Sequence, residues 1–140
     1  MRDQSDKSRQ ERSLTDSPKV RNVDLASLVE AAARGASNLL ADNIVILDVG
    51  DVLSITDHFV IVSASNIRRV RRIVDEVESE VKAAGGTGPE SVEGGQDGRW
   101  VLMDFGSFVV HVFHQETREF YDLEQLWSDV PRREWVDQPA

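Results

Sequence analysis

The sequence predicts a mixed α/β domain in which helices flank a partly parallel β-sheet of about five strands. Two stretches, 23–40 and 67–85, repeat apolar residues at three- and four-residue steps, which is the period of an amphipathic helix. Between and after them lie short runs rich in Val, Ile and Phe, which are typical of strands. A strand followed by a helix and then by further strands implies a right-handed crossover connection, and such a connection makes part of the sheet parallel.

The first half of the chain supplies a helix, two strands and a second helix. Asn22 or Asp24 can cap the first helix, because a side-chain oxygen there accepts a hydrogen bond from a free amide of the first turn. Ser65 or Asn66 can cap the second helix in the same way, and Gly85-Gly86 ends it. The two strands between these helices are predicted at residues 43–49 and 58–65.

The second half supplies a hairpin and a short helix. A glycine-rich loop with one short strand near Ser91-Val92 leads into the hairpin, residues 99–113. We expect a three-residue turn, Asp104-Phe105-Gly106, with Gly106 in the left-handed conformation, since the bulky Phe105 resists positive φ. Thr117 can cap the last helix, which carries an apolar face.

One domain is expected between two tails. Residues 1–21 are polar and mixed in charge, so they bury too little apolar surface to become ordered, and they lack the apolar stretch of a secretory signal. Residues 131–140 begin with a proline and are expected to fray. The predicted domain is therefore residues 22–130.

Composition excludes several classes of protein and site. The 140-residue chain contains no cysteine, so it has no disulfide, thiolate zinc site or cysteine nucleophile. The lack of cysteine fits a reducing compartment, and we expect a cytoplasmic protein. No apolar run approaches the ~20 residues of a membrane span. The formal net charge of −9 makes general nucleic-acid binding a poor candidate, because that function needs a surplus of Lys and Arg.

Two groups of residues are candidates for chemistry. Asp48, Asp51 and Asp57 lie close together in the sequence and could hold Mg²⁺, although turn formation alone explains aspartates in such a loop. His111 lies inside a strand, where a histidine beside a carboxylate could transfer protons. The sequence shows no nucleophile elbow, phosphate-binding loop or zinc-protease motif. We therefore expect no catalytic residue, no metal site and no cofactor.

The second helix begins with four arginines, Arg68, Arg69, Arg71 and Arg72. Positive charge at this end opposes the helix dipole. One interpretation is a solvated face that pairs with acidic residues one turn further on, as Arg72 and Glu76 would. The other interpretation is a contact with RNA phosphate or with an acidic surface.

The hairpin carries apolar residues on both faces. Because side chains alternate along a strand, Trp100, Leu102 and Asp104 share one face, and Val101 and Met103 share the other. Either helices cover both faces, or one face is left for a partner. A tryptophan beside a carboxylate has the composition of a protein interface. Core packing explains the same composition, so the residues alone leave both alternatives open.

Three blocks of sequence together resemble the ribosomal silencing factor family, RsfS, also called Iojap-like. In order they are ITDHFVIVSASNIRRVRRIVDEV, VEGGQDGRWVLMDFGSFVVHVF and TREFYDLEQLW, and the resemblance covers about residues 22–128. The combination and order of the blocks are specific. The chain departs from the family pattern at Thr56, Ala64 and Ser107, where Ser, Gly and Asp are common.

The resemblance implies an architecture similar to that of nucleotidyltransferases, without transferase activity. It also implies binding to the large ribosomal subunit through the universal ribosomal protein L-fourteen (uL-fourteen). A factor bound there blocks joining with the small subunit and lowers translation in starvation or stationary phase. Matching of the motifs implies that Trp100, Leu102 and Asp104, with Tyr121, contact this basic partner. We then expect the side chains of the other face to hold the sheet to its helices: Val101, Met103, Val110 and Val112. Members of the family can self-associate, which leaves a homodimer open. A minor rRNA contact through the four arginines also stays open.

Two other functions stay open at this point. A nucleotidyltransferase-like nucleotide-binding enzyme would need acidic metal ligands on adjacent strands beside a Gly-Ser loop, and the sequence has no such loop before a helix. An RNA-binding module would use the arginines from Arg68 to Arg72 to contact phosphate.

Overall fold

A six-stranded mixed β-sheet forms the centre of the protein in the computed structural model, which describes residues 24–137. The strands are β1 (Asp42–Asp48), β2 (His58–Ala64), β3 (Ser91–Glu93), β4 (Trp100–Asp104), β5 (Phe108–His114) and β6 (Arg132–Glu134). Their order across the sheet is β3-β4-β5-β2-β1-β6. Within this sheet β2 and β5 pair in parallel and the other neighbours are antiparallel. The predicted mixed, partly parallel sheet flanked by helices is confirmed.

Two long helices pack on each other and on the same face of the sheet. The helices of the described chain are α1 (Leu25–Asn38), α2 (Ile67–Ala83), α3 (Gln115–Tyr121) and α4 (Leu123–Leu126). Asp24 caps α1 by accepting from the amide of Ala26 at 3.2 Å, and Asn66 caps α2 by accepting from the amide of Arg69 at 2.8 Å. Both positions were among the predicted caps.

Gly35 lets α1 approach α2 closely. A Cβ atom at this position would lie 3.0 Å from the backbone of both Glu76 and Val77. Glycine costs about 1 kcal/mol relative to alanine inside a helix. The close helix–helix contact explains why α1 carries a glycine there.

The side chains on one face of the hairpin are buried beneath α1 and α2. Val101 and Met103 of β4 are 1% and 0% exposed, and both belong to the core cluster that the two helices cover. The same cluster contains Val110 and Val112 of β5, which pair with them across the hairpin. The expectation that these residues hold the sheet to its helices is confirmed.

The hairpin turn lies one residue further along the chain than predicted. Asp104 stays in β4 and pairs with Val109, so the turn comprises residues 105–107. Gly106 has φ +89°, which confirms its left-handed conformation. The carboxylate of Asp104 accepts a hydrogen bond from the amide of Gly106 at 2.8 Å, and this contact stabilises the turn.

Residues 132–135, which were predicted to fray, are packed into the domain. Residues 132–134 form the edge strand β6, which pairs antiparallel with β1, and Trp135 is 8% exposed within the core cluster under the helices. The indole N–H of Trp135 donates to the carboxylate of Glu30, and Arg133 pairs with the same carboxylate. The domain therefore extends beyond residue 130. The predicted disorder of residues 1–21 lies outside the described residues.

None of the helices within residues 24–137 combines the length and apolar character needed to cross a membrane.

Candidate partner-binding site

The face of the sheet opposite α1 and α2 is only partly covered. Within residues 24–137, the short segment after β5 packs on it through Leu123, Trp127 and Val130, and Leu53 of the loop after β1 packs there as well. The buried side chains of this face come from three neighbouring strands and the residue after β1: Val45, Leu47, Val49, Phe59, Ile61, Val109 and Phe113. Both long helices therefore lie on one side of the sheet. We call the partly or fully exposed apolar surface on the other side the open face, and its residues are Trp100, Leu102, Phe120, Tyr121 and Trp127.

Residues predicted from the sequence to contact a partner meet on the open face. The ring of Trp100 stacks on Phe113 with centroids 4.9 Å apart and contacts the ring of Tyr121 with centroids 5.0 Å apart. Leu102 follows Trp100 on the same side of β4. Asp104 also shares this side of the strand, but it lies at the turn, where one carboxylate oxygen is bonded to Gly106. The structure thus groups three of the four predicted residues closely.

Phe120 and Leu126 were not identified from the sequence. They are 80% and 76% exposed, and Phe120 packs edge-on against Tyr121 with centroids 5.0 Å apart. A groove of about 470 Å³ runs between Phe120, Tyr121 and Trp100. Leu126 belongs to the apolar face that was predicted for the last helix. Only the position of the short helices on the sheet reveals that these side chains face outward.

His111 lies beneath Trp100 and receives a hydrogen bond from it. The indole Nε1–H donates to His111 Nδ1 at 3.1 Å. His111 is 4% exposed, and desolvation by burial lowers its pKa to about 4. Tryptophan can only donate, so Nδ1 must carry a lone pair and the proton of the neutral ring must be on Nε2. A histidine that is buried and uncharged at neutral pH, under a tryptophan ring, is suited to a structural contact rather than to proton transfer.

Arg118 attaches α3 to the sheet at the edge of the open face. It is 8% exposed, its Nε lies 2.8 Å from a carboxylate oxygen of Glu124, and its Nη1 donates to Ser63 Oγ at 3.0 Å and to the carbonyl of Asp42 at 3.1 Å. These contacts link the segment that carries Phe120 and Tyr121 to strands β1 and β2. The apolar surface is therefore held in place before any partner binds.

Asp48, one of the three aspartates considered for a metal site, stabilises a turn. The side chain of Asp48 accepts from the amide of Gly50 at 3.3 Å. Within residues 24–137 no group of three or more His, Asp or Glu side chains is placed to hold a metal ion. A nucleotidyltransferase-like enzyme would need acidic metal ligands, and the described part of the chain holds no such group of three.

The arginines at the start of α2 do not form the predicted ion pair. Glu76 accepts from the side-chain amide of Asn38 at 3.2 Å, which turns it toward α1 and away from Arg72. Arg71 donates to the carbonyl of Gln96 at 2.7 Å. Among residues 24–137 none of the four arginines has a carboxylate within 4.0 Å. Within this part of the chain, their charge stays available at the surface.

Comparison with known proteins identifies a matching family and several relatives of this chain. Residues 22–140 match the family model described as ribosomal silencing factor during starvation, RsfS. The ribosomal silencing factor RsfS of Bacillus subtilis is 34% identical over 105 residues, which cover 75% of this chain and 88% of that relative. The mouse protein named mitochondrial assembly of ribosomal large subunit protein 1 is 33% identical over 90 residues, which cover 63% of this chain and 40% of that protein.

The solved structures contain the same fold. The crystal structure of a protein from Chromobacterium violaceum matches with a TM-score of 0.71 and 26% sequence identity, over 84% of this chain and 91% of that one. The family model spans the whole described domain, and the Bacillus relative is matched over most of its length. The chain therefore belongs to the family of ribosomal silencing factors, RsfS.

Proposed function

We propose that this protein represses translation in the cytoplasm by binding the large ribosomal subunit through uL-fourteen, so that the small subunit cannot join. The observation that carries the proposal is the open face, an exposed aromatic surface on a member of a family of ribosomal silencing factors. The family model names starvation as the condition, and the name of the mouse relative includes the ribosomal large subunit. The family is not a family of enzymes, and the proposed repression requires only that the protein occupies the binding surface of the large subunit.

The composition of the open face suits a protein partner. Protein interfaces are enriched in Trp, Tyr and Phe, and a few such residues supply most of the binding energy. Phe120 and Tyr121 are 80% and 56% exposed and pack against each other, and a contiguous exposed apolar patch marks an interaction site. Trp100 lies beside them and is stacked on Phe113. Its ring is therefore held against the sheet, and it loses little conformational freedom on binding.

Charge around the open face suits a basic partner. Glu116, Glu119 and Asp122 are exposed on or directly after α3, the helix that carries Phe120 and Tyr121. The whole chain has a formal net charge of −9. Complementary charge at the rim of an interface speeds association and sets orientation. A basic ribosomal protein is the kind of partner that such a surface selects.

The open face is also the surface through which we expect a homodimer. The exposed Phe120 would be covered by the same surface of a second copy, in the self-complementary manner of a two-fold dimer. A dimer formed in this way and a complex with the ribosome would exclude each other.

Replacement of Trp100 by alanine is expected to weaken co-sedimentation with isolated large subunits by 30-fold or more. Truncation of an aromatic residue at the centre of an interface costs about 2–4 kcal/mol of binding free energy. In a light-scattering assay, the two ribosomal subunits should join in the presence of this variant, whereas the wild-type protein should block joining. A matched control is Leu40→Ala, which removes a 72% exposed leucine after α1 and should bind as the wild type does. Wild-type affinity in Trp100→Ala would refute the assignment of this surface.

We propose in addition a minor rRNA contact through Arg68, Arg69, Arg71 and Arg72. Arg68, Arg71 and Arg72 are exposed, and none of the four has an acidic partner among residues 24–137. In an acidic chain, such a concentration of positive charge suits phosphate.

The double substitution Arg68→Glu and Arg72→Glu is expected to weaken binding to large subunits several-fold. It should also reduce the dependence of affinity on salt, by roughly one unit of slope for each phosphate that the variant no longer neutralises. Arg34→Glu, at an exposed position on α1, is the control for a change in total charge. An unchanged salt dependence in the double variant would remove the arginines from the interface.

A further inference from the structure

We infer that His111 is a positioning residue, which sets the orientation of the Trp100 ring on the open face. The inference rests on the proposed function, because it assigns a role within the same binding surface. His111 is 4% exposed, and Trp100 lies between it and the surface, so His111 acts on a partner only through the tryptophan.

The geometry of the hairpin brings the two rings together. In the register of β4 and β5, Leu102 pairs with His111 and Trp100 pairs with Phe113. Trp100 therefore reaches His111 diagonally across the strands, at a distance that long aromatic side chains can span. Stacking on Phe113 fixes the plane of the indole, with the two rings inclined by 28°.

Stacking alone leaves the direction of the indole within that plane undetermined. The hydrogen bond of 3.1 Å from Nε1 to His111 Nδ1 turns the N–H edge of the ring toward the sheet. The opposite, wholly apolar edge is then available to a partner and to Tyr121. A ring held in one orientation pays less conformational entropy on binding than a ring that rotates.

Histidine is a poor choice at this position for stability alone. Its neighbours on the same side of the sheet are apolar, and they include Phe59, which packs edge-on at 4.8 Å between centroids, and Phe113. Because Nδ1 accepts from Trp100, the proton lies on Nε2, and this buried atom has no hydrogen-bond partner among residues 24–137. An unpaired buried donor lowers stability. The acceptor that it supplies to Trp100 is a benefit that an apolar residue would lack.

Two substitutions separate the hydrogen bond from packing. His111→Leu removes the acceptor, and His111→Asn retains an oxygen near the position of Nδ1. The indole ¹H–¹⁵N resonances report the bond directly, because the chain has three tryptophans and Trp100→Phe identifies the signal of Trp100.

In His111→Leu the Trp100 indole signal is expected to shift and its proton to exchange faster with solvent. Affinity for isolated large subunits should fall about tenfold, which corresponds to the removal of one oriented interaction. The melting temperature should stay the same or rise, because the unpaired donor is gone. His111→Asn should keep the wild-type indole signal and an affinity within about threefold of the wild type. A purely structural role predicts that affinity changes only when the melting temperature falls.

A double-mutant cycle of His111→Leu with Trp100→Phe gives a second measurement. If the histidine acts through the indole N–H, the double variant binds no more weakly than the weaker single variant. Additive losses would overturn the inference, and so would equal losses of affinity in the Leu and Asn variants. Wild-type affinity in His111→Leu would also overturn the inference about His111. The proposed function would be unaffected by that result, because Trp100→Ala tests it separately. Absence of wild-type binding to large subunits would refute both.

Discussion

Truncation after Val130 is expected to lower the free energy of unfolding by about 5 kcal/mol. Removal of a buried tryptophan side chain alone costs about 3–5 kcal/mol, and Trp135 is 8% exposed beneath α1. The truncation also removes β6, which pairs with β1, and both groups that bind the carboxylate of Glu30. Urea denaturation followed by circular dichroism measures the change, and a substantial unfolded population is expected even without denaturant.

Two further variants identify the cause of this destabilisation. Truncation after Asp137 removes only the last three residues and should change stability by less than about 0.5 kcal/mol. Trp135→Phe keeps most of the buried ring but removes the N–H that donates to Glu30, and it should cost about 1 kcal/mol. Wild-type stability in the protein truncated after Val130 would show that the C-terminal strand does not contribute to the fold.

Acidification from pH 6.5 to pH 4 is expected to remove roughly 3 kcal/mol of stability through His111 alone. Burial lowers the pKa of His111 from its ordinary value of 6.5 to about 4 in the folded protein. Between these pH values the unfolded chain binds a proton that the folded protein does not, so unfolding becomes more favourable as the pH falls. The stabilising effect is fully present above pH 6.5 and is lost as the pH falls through the folded pKa. Each pKa unit corresponds to about 1.4 kcal/mol.

The variant His111→Leu isolates this contribution. Its free energy of unfolding, measured in urea at a series of pH values, should change less steeply than that of the wild type between pH 6.5 and pH 4.5. Burial by itself raises the pKa of Glu30, but the hydrogen bonds from Trp135 and Arg133 outweigh it and hold the pKa of that carboxyl below 4.5. The titration of Glu30 therefore changes the free energy of unfolding at lower pH, and it does so in both proteins. Equal slopes in the two proteins would contradict the low pKa of His111.

Short-range features were the ones that sequence reasoning predicted well. The apolar periods of α1 and α2, their caps at Asp24 and Asn66 and the left-handed Gly106 each depend on a few neighbouring residues. The alternation of side chains along β4 belongs to the same group, since it placed Trp100 and Leu102 together and Val101 on the opposite side. Contacts within one turn of the chain decide such features, so the local sequence contains the information.

The resemblance to ribosomal silencing factors predicted the family and supplied candidate contact residues, but it did not predict the shape of the surface. Phe120 lies in a motif of that resemblance beside Tyr121, yet its exposure of 80% follows from how α3 sits on the sheet. Arg118 holds this helix through Ser63, which is 55 residues away in the chain. A pattern of residue types does not show which distant groups meet.

By itself, the sequence determined the helices, most of the strands, the side of the hairpin on which each residue lies, and the family. Only the tertiary structure decided that both long helices cover the same side of the sheet and leave the open face exposed. It also decided that Trp135 returns to Glu30, 105 positions earlier, and that Trp100 donates to His111 across the hairpin. The physical reason is that backbone conformation and side-chain alternation arise between neighbours in the chain. Coverage of a sheet face and pairing of buried polar atoms depend on the free energy of the whole packed arrangement.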